Sequence, residues 1–416
     1  MAARRTILTL ATGVALTIGW APMASAGPDR VDARAASILA TATVGEPVTV
    51  VTTTQTSTGP AFTTTVADSR GEALDVITAE LDKPSTADVD VSHTMSIAAT
   101  EPTATATAGT ASTVTAAKKR KRTDDTYRRR QWSLDRLDAE RVWHKSSGKG
   151  VVVAVVDTGV YAKHPDLKGR VLKGRDFVEG DRSADDRNGH GTHVAGVIAA
   201  RADNGRGIAG LAKSSRILPV RVLNSAGSGN TVTVARGIVW AVNKGADVIN
   251  LSLAGEQPDA SVEAAVKYAV GRNVVVVAAA GNRGCAAPTT YPAAYPGVIA
   301  VGAINHYGSV SSYSNCGAYV DVVAPGTSIR STMIRRSSSS LRCRYGKDYC
   351  MLSGTSMASP HVAAAAAIII ARTRHRLAAA AVGDLITSRA DDIVTPGFDT
   401  TSGFGVLNVN RSLIGR

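Results

Sequence analysis

Apolar and polar positions divide the chain into three stretches of different grain. Ile7 to Gly19 is predominantly apolar. From Gly27 to Ala117, Thr, Ala and Val mix with no lasting period, and from about Asp124 short apolar runs alternate with helical stretches. In this last stretch, β-branched runs at Val151–Val156, Ile217–Leu223, Val248–Leu253, Val274–Ala278 and Val298–Val301 predict strands, with another over Tyr319–Ala324. His193–Arg201, Thr231–Lys244, Ser261–Gly271 and Ser356–Arg372 predict the helices between and after them. Strands that are apolar on both faces must be covered on both faces, so the pattern predicts an α/β fold with a parallel sheet sandwiched by helices. Chemistry in such sheets gathers at the carboxyl ends of the strands.

The middle stretch predicts a smaller unit. Pro47–Thr54 reads as a strand, Ser69–Leu81 as a helix and Val89–Ala98 as another strand, with no cysteine and almost no aromatic residue to consolidate them. Glu101–Thr115 is low-complexity linker, and Lys118 to Arg122 follows as KKRKR. A weakly cored α+β module (27–100), joined through a basic linker (101–123) to a large domain (124–416), reads as a propeptide; the alternative is a permanent surface module. Cleavage is expected between Ala117 and Tyr127. Ahead of it, Arg4 and Arg5, the apolar run and Ala24-Ser25-Ala26 form the pattern of a secretory signal peptide over residues 1–26. The run is shorter than the roughly 20 residues that cross a bilayer, so the expected product is secreted, extracellular and free of the membrane.

Charge changes this picture little. The net charge is +13, but much of it sits in KKRKR and Arg128–Arg130 beside the expected boundary. With no aromatic interleaving, the clusters read as solvated linker or cleavage site, and no nucleic-acid partner is expected. Four cysteines, Cys285, Cys316, Cys343 and Cys350, favour two disulfides in an exported chain and allow three connectivities.

Three segments carry chemistry. VVVAVVDTG delivers Asp157 from a buried strand into a glycine-containing turn, where a carboxylate is costly unless paired. In NGHGTHVAG, glycines flank His190 and leave its imidazole uncrowded at the start of an apolar helix. His190 and His193 also read as a metal pair, though no HExxH pattern accompanies them. In GTSMASPH, Ser356 falls at a helix amino terminus, where free N–H groups and the helix dipole favour a developing oxyanion, and Pro360 is expected within the first turn. Each residue alone also reads as a cap or a loop residue.

Together, DTG, NGHGTHVAG, AAAGN ending at Asn282, and GTSMASPH resemble the signatures of the subtilisin family, in that family's Asp, His, Ser order, over roughly Asp124 to Ile414. The resemblance implies a serine endopeptidase working through an acyl-enzyme. Ser356 would be the nucleophile, His190 the general base and then acid, Asp157 the group that orients His190, and Asn282 an oxyanion donor. It also implies a monomer made as a self-processing zymogen, with its own propeptide as inhibitor and folding aid and extended polypeptides as substrates. These would lie as an added strand between Gly227-Ser228-Gly229 and Ser252-Leu253-Ala254, with Ala280, Gly281 and Thr290 around the specificity pocket. Ala254 stands where relatives often have Gly and Thr290 where many have Gly or Asn, so the pocket is expected to be narrowed and to prefer small or medium apolar side chains.

Likeness to thermophilic relatives implies structural calcium at Asp125, Asp166 and Asn204, and a second site at Asp176, Glu179 and Asp181. It also implies a Cys285–Cys316 bond, and Cys343–Cys350 would then close a short Arg-rich loop. Two other classes compete. An inactive binding protein of the same fold would be expected to lack a triad or oxyanion residue, and none is missing; a dinucleotide-binding oxidoreductase would carry GxGxxG where this first strand continues DTGV.

Overall fold

A computed structural model describes residues 28–43, 46–97, 121–181, 183–335, 341 and 348–413. The expected signal peptide, nearly all of the linker and Cys343 lie outside the described residues. The amino-terminal module comprises α1 (Pro28–Ala40), β1 (Val48–Thr56), β2 (Gly59–Ala67), α2 (Arg70–Leu81), β3 (Thr86–Val91) and β4 (Thr94–Ile97). Its antiparallel sheet has the order β2-β1-β3. Ala35, Leu39, Val48, Val50, Ala73, Ile77, Val89 and Val91 form its small core. Ser69 caps α2 by accepting Glu72 N at 3.1 Å. The strand expected over Val89–Ala98 is two strands, because the chain leaves one sheet after Val91 and joins another at Thr94. β2 escapes periodicity because its Thr63-Thr64-Thr65 stretch is exposed on both faces.

The large domain runs α3 (Trp132–Arg136), α4 (Ala139–Trp143), β5 (Val152–Asp157), β6 (Arg175–Asp176), α5 (His190–Ala199), β7 (Arg216–Arg221), β8 (Ser228–Asn230), α6 (Thr231–Asn243), β9 (Val248–Leu251), β10 (Leu253–Ala254) and α7 (Ala260–Gly271). It continues β11 (Val275–Ala279), β12 (Val298–Ile304), β13 (Val322–Pro325), β14 (Ile329–Thr332), β15 (Tyr349–Leu352), α8 (Thr355–Thr373), α9 (Ala379–Thr387) and α10 (Val409–Ser412). Seven strands pair in the order β13-β12-β11-β9-β5-β7-β6, and every pairing is parallel. The two-residue period of the strands divides them between two cores. Val153, Val155, Val275 and Val277 pack with α5 and α8, while Ala154, Val156, Val276 and Ala278 pack with α6 and α7. That division is why these strands read as unbroken apolar runs.

Local differences from the sequence reading have physical causes. α5 begins at His190, three residues early, because Gly189 with φ of 111° turns the chain directly into the helix. The run Val248–Leu253 stops being sheet at Leu251 and resumes as β10, whose partner is β4. Pro360 is the sixth residue of α8, past the first turn, so it does remove an i→i−4 bond. The carbonyl thus released, Ser356 O, accepts Ser252 Oγ at 2.9 Å. Arg128, assigned above to a solvated basic cluster, is fully buried. Its guanidinium donates to both Glu140 oxygens at 2.8 Å and to Asp135 at 2.9 Å.

Cys285 and Cys316 are bonded across a separation of 31 residues. Cys350 is also disulfide-bonded, while its expected partner Cys343 lies outside the described residues. Closing a loop of 31 residues in the unfolded chain corresponds to about 3.5 kcal/mol in the chain-entropy account. Replacing Cys285 and Cys316 together by serine should therefore lower the unfolding free energy by roughly 3 kcal/mol, read from denaturant curves under oxidising conditions. An unchanged midpoint would show that the loop does not limit unfolding.

Candidate active site

The carboxyl ends of neighbouring strands bring the chemistry-bearing residues together. β5 ends on Asp157, Ser252 directly follows β9, and Ala280-Gly281-Asn282 follows β11. Parallel pairing of β5 with β9 and of β9 with β11 puts these three exits along one rim. α5 and α8 both pack beneath that rim in one core, with His190 first in α5 and Ser356 second in α8.

Asp157 and His190 are fully buried and pair closely. His190 Nδ1 lies 2.8 and 2.9 Å from the two Asp157 oxygens, and Thr158 N donates to Oδ1 at 2.7 Å. The carboxylate fixes the tautomer, since only a protonated Nδ1 can donate to it. Both glycines of the GHG segment are required. Gly189 holds φ of 111°, and a Cβ on Gly191 would overlap Gly159 O and crowd Asp157. Nε2 of His190 is buried without a hydrogen-bond partner, while Ser356 Oγ donates to Ser252 O at 2.9 Å. Catalytic contacts commonly tighten only around substrate.

The other histidines are committed elsewhere. His193 Nε2 lies 3.0 Å from Ile329 O, and burial, then the neighbouring His190, push its pKa down to about 3. His361 Nδ1 lies 2.8 Å from Met357 O and burial lowers it to about 4. His190 Nδ1 is spent on Asp157 and His193 Nε2 on a carbonyl, and among the described residues the two histidines belong to no group of three or more metal-ligating side chains.

Asn282 is held through its acceptor. Thr355 N and Thr355 Oγ1 both donate to Asn282 Oδ1, at 2.8 and 2.9 Å, and Gly281 N donates to Thr355 Oγ1 at 3.1 Å. Two donors on one atom identify it as the oxygen, so what the amide offers a ligand is N–H. Thr355 was not singled out from the sequence, although it sits in the GTSMASPH segment beside Ser356.

The two expected edges of the cleft are both filled. β4 runs antiparallel between β8 and β10, forming a three-stranded sheet in the order β10-β4-β8. Met95 pairs with Gly229, Ser96 with Ser228 and Ala254, and Ile97 with Leu253. Ile97 N donates to Gly227 O at 2.9 Å. Gly227 must be glycine, having φ of 82° and no room for a Cβ beside Ile97. Met95 is buried, with its side chain against Gly255. Thr290 spends its hydroxyl on Ala280 O at 2.7 Å, and Tyr319, expected only as the start of a strand, donates to the same carbonyl at 2.8 Å.

Both acidic sets come together. Asp125 Oδ1 accepts Asn204 N at 3.2 Å, and Asp166 Oδ1 accepts Asn204 Nδ2 at 3.0 Å. Both carboxylates are buried, and Asp125 is raised above the usual carboxylate range by burial first and by Asp166 among the rest. Two buried carboxylates joined through Asn204 offer the hard oxygens a cation such as calcium takes. Asp176, Glu179 and Asp181 have ligand atoms within 4.8 Å of one another. Here Arg221 pairs with Asp176 and Glu179, and Arg187 with Glu179, so a cation must compete with two guanidinium groups.

Comparison with known proteins gives one family. Residues 148–405 match the model of the Subtilase family, Peptidase S8. Thermitase of Thermoactinomyces vulgaris is 43% identical over 274 residues, covering 66% of this chain and 93% of thermitase. Subtilisin Savinase of Lederbergia lenta is 45% identical over 239 residues, covering 57% and 83% of the two chains. Among solved structures, fervidolysin of Fervidobacterium pennivorans, described as a keratinolytic enzyme, superposes with a TM-score of 0.77 at 27% identity, covering 90% of this chain and 62% of its own. A protease of Pseudoalteromonas arctica gives 0.64 at 31% identity, covering 70% and 99%. With its parallel sheet and this matched span, the chain belongs to the subtilase family and is a subtilisin-like serine endopeptidase.

Proposed function

We propose that the chain is the precursor of a secreted endopeptidase in which Ser356 attacks the peptide carbonyl, His190 Nε2 takes the hydroxyl proton, and Asp157 orients and stabilises the imidazolium. The Asp157–His190 pair carries this reading, because it leaves Nε2 as the unpartnered nitrogen. For the reaction Ser356 Oγ gives up Ser252 O and donates to Nε2. The oxygen of the tetrahedral adduct takes N–H groups from Asn282 and from the Ser356 backbone, and His190 then protonates the leaving amine. Substrate lies as an extended strand between β8 and β10, with Ala280, Gly281 and Thr290 bounding the pocket for the side chain before the cut. The Thr290 and Tyr319 hydroxyls on Ala280 O support a narrowed pocket for small or medium apolar side chains.

The amino-terminal module is proposed to act as the zymogen's inhibitor, because β4 takes the place an extended substrate would take. Its sheet also rests on α6 and α7. Arg236 donates to Phe62 O at 2.7 Å, Asn243 to Thr58 O at 2.9 Å, and Ala260 N to Asp90 at 2.7 Å. Secretion rests on the pattern of the first 26 residues, and the proposed enzyme acts as a monomer. Calcium is assigned to Asp125, Asp166 and Asn204, with Asp176, Glu179 and Asp181 as the weaker set. The ion would tie three chain segments together and takes no part in the acyl transfer. Among the described residues no helix is long and apolar enough to cross a membrane.

Catalysis is tested at Ser356 and Asn282. A serine-directed organofluorophosphate should modify Ser356 alone, and Ser356→Ala should leave the precursor uncut. Asn282→Ala should lower kcat by about 100- to 1,000-fold with little change in KM, the magnitude known for the equivalent donor of subtilisin itself. Labelling at another serine would sink the assignment.

The register of β4 supports a first cut ahead of the linker, in place of the one expected between Ala117 and Tyr127. Ser96 lies opposite Ala254 and Ile97, the end of β4, opposite Leu253, the neighbour of Ser252, whose carbonyl holds Ser356 Oγ. The earliest peptidase fragment should therefore begin one or two residues past Ala98, with the rest of the linker trimmed later. Amino-terminal sequencing during the first turnover decides this, and an initial fragment starting between Ala117 and Tyr127 would reject it.

Docking of the module should also weaken with rising pH. Burial first, then Asp259, push Asp90 from 3.8 up to about 7 in the docked chain, with Asp88 adding to the rise. His93 beside them is lowered by burial against the pull of Asp259, and Arg34 is paired with Asp88. A group whose pKa is raised on docking holds an extra proton there. Its contribution is complete below about 4, falls by up to about tenfold per pH unit, and is gone above about 7. Hydrogen exchange of the β4 amides in the uncut Ser356→Ala chain, corrected for intrinsic rates, should show this fall, and Asp90→Asn should flatten it. Identical profiles in the two chains would refute the coupling.

A further inference from the structure

Asp186 is a buried carboxylate that the reaction above does not use. Five donors converge on it. Thr158 Oγ1, Asn188 N and Gly189 N reach Oδ1 at 2.9, 2.9 and 2.8 Å, and Thr192 N and Thr192 Oγ1 reach Oδ2 at 2.9 and 2.6 Å. These donors come from two places in the chain. Thr158 directly follows Asp157, whereas Asn188, Gly189 and Thr192 bracket His190. Thr158 Oγ1 completes the link by accepting Gly191 N at 2.9 Å while donating to Asp186.

We infer that Asp186 is a positioning residue, clamping the turn after β5 to the first turn of α5 so that His190 Nδ1 stays seated on Asp157. The inference rests on reading His190 as the general base. Geometry explains why a carboxylate is needed. Five donors require acceptor capacity on both side-chain oxygens, which an ionised carboxyl has and a neutral amide lacks. An Asn in its place would aim an N–H at Thr192 N, leaving a buried donor unpaired. Burial raises the pKa of Asp186, and its hydrogen bonds with Thr192, Gly189 and Asn188 oppose that rise. A loosened clamp lets the imidazole drift relative to both Asp157 and Ser356, and a displacement near 1 Å is enough to cost about 100-fold in rate.

The test uses the full chain, allowed to mature, with active sites counted by organofluorophosphate titration so that misfolded protein drops out. Asp186→Asn should lower kcat per titrated site by roughly 10- to 100-fold with KM within about threefold. It should also shift or broaden the low-field proton resonance of the His190–Asp157 bond. In case that variant fails to mature, Thr158→Val removes one strut of the clamp at constant shape and should lower kcat per site severalfold. Thr158→Ser, which keeps the hydroxyl, should restore it. An unchanged kcat per site and an unmoved resonance, with only the melting temperature lowered, would reduce Asp186 to a structural residue and overturn the inference. If the parent enzyme is not labelled at Ser356, it is the reading of the reaction that fails.

Discussion

The carboxylate of Asp157 is fully buried at the carboxyl end of a central strand, and a charge in that position survives only where donors surround it. Much of the neighbouring architecture meets that demand. The strand ends in a turn that brings Thr158 N onto Oδ1, and α5 opens on His190 so that Nδ1 spans both oxygens. Such a helix start can approach only because Gly191 carries no Cβ against Gly159 and Asp157. His190 is thereby oriented by the same contacts that make the buried charge tolerable, so that on the proposed mechanism stability and reactivity depend on one set of atoms.

A second constraint is that the sheet behind the cleft and the strand within it need different backbone groups. β9 uses its hydrogen bonds on β5 and β11, so the chain must leave the main sheet at Ser252 before Leu253 and Ala254 can pair outward with β4. Ser252 is the joint between the two, and Pro360 gives it a partner. By removing its own N–H from the helix ladder, Pro360 frees Ser356 O for Ser252 Oγ, while Ser252 O receives Ser356 Oγ. This reciprocal pair of bonds fixes the end of the cleft to the start of α8. It follows from a proline that stands one turn later than a helix-start rule would put it.

The fold and the polar residues of the site were legible for the same reason: each had a local signature. Strands such as Val275–Ala279 sit between two cores and so carry no polar alternation, and glycine-flanked His190 marks a place where backbone must pass close by. What escaped was set by partners that no local period or motif records. Arg128 reads as surface charge until Glu140 and Asp135 fold over it, and β3 and β4 read as one strand because nothing local records that they join different sheets. Asp186 was hidden in an acidic run, DRSADD, of which only Asp181 was singled out, as a calcium ligand, and nothing in the run records the five donors that meet Asp186.

The amino-terminal module shows how a weak core can still be held in a single place. Its own apolar cluster is small, but its sheet lies across α6 and α7, and β4 supplies the middle strand of a sheet whose other two members belong to the large domain. Backbone pairing of this kind is nearly indifferent to side-chain identity, which suits a cleft that must accept many sequences. Side chains of the strand add to this, Met95 being buried against Gly255. On the proposed zymogen reading, a module bound through its backbone and released through charged groups such as Asp90 is a tight ligand of the cleft that places no demands on the substrates that would replace it.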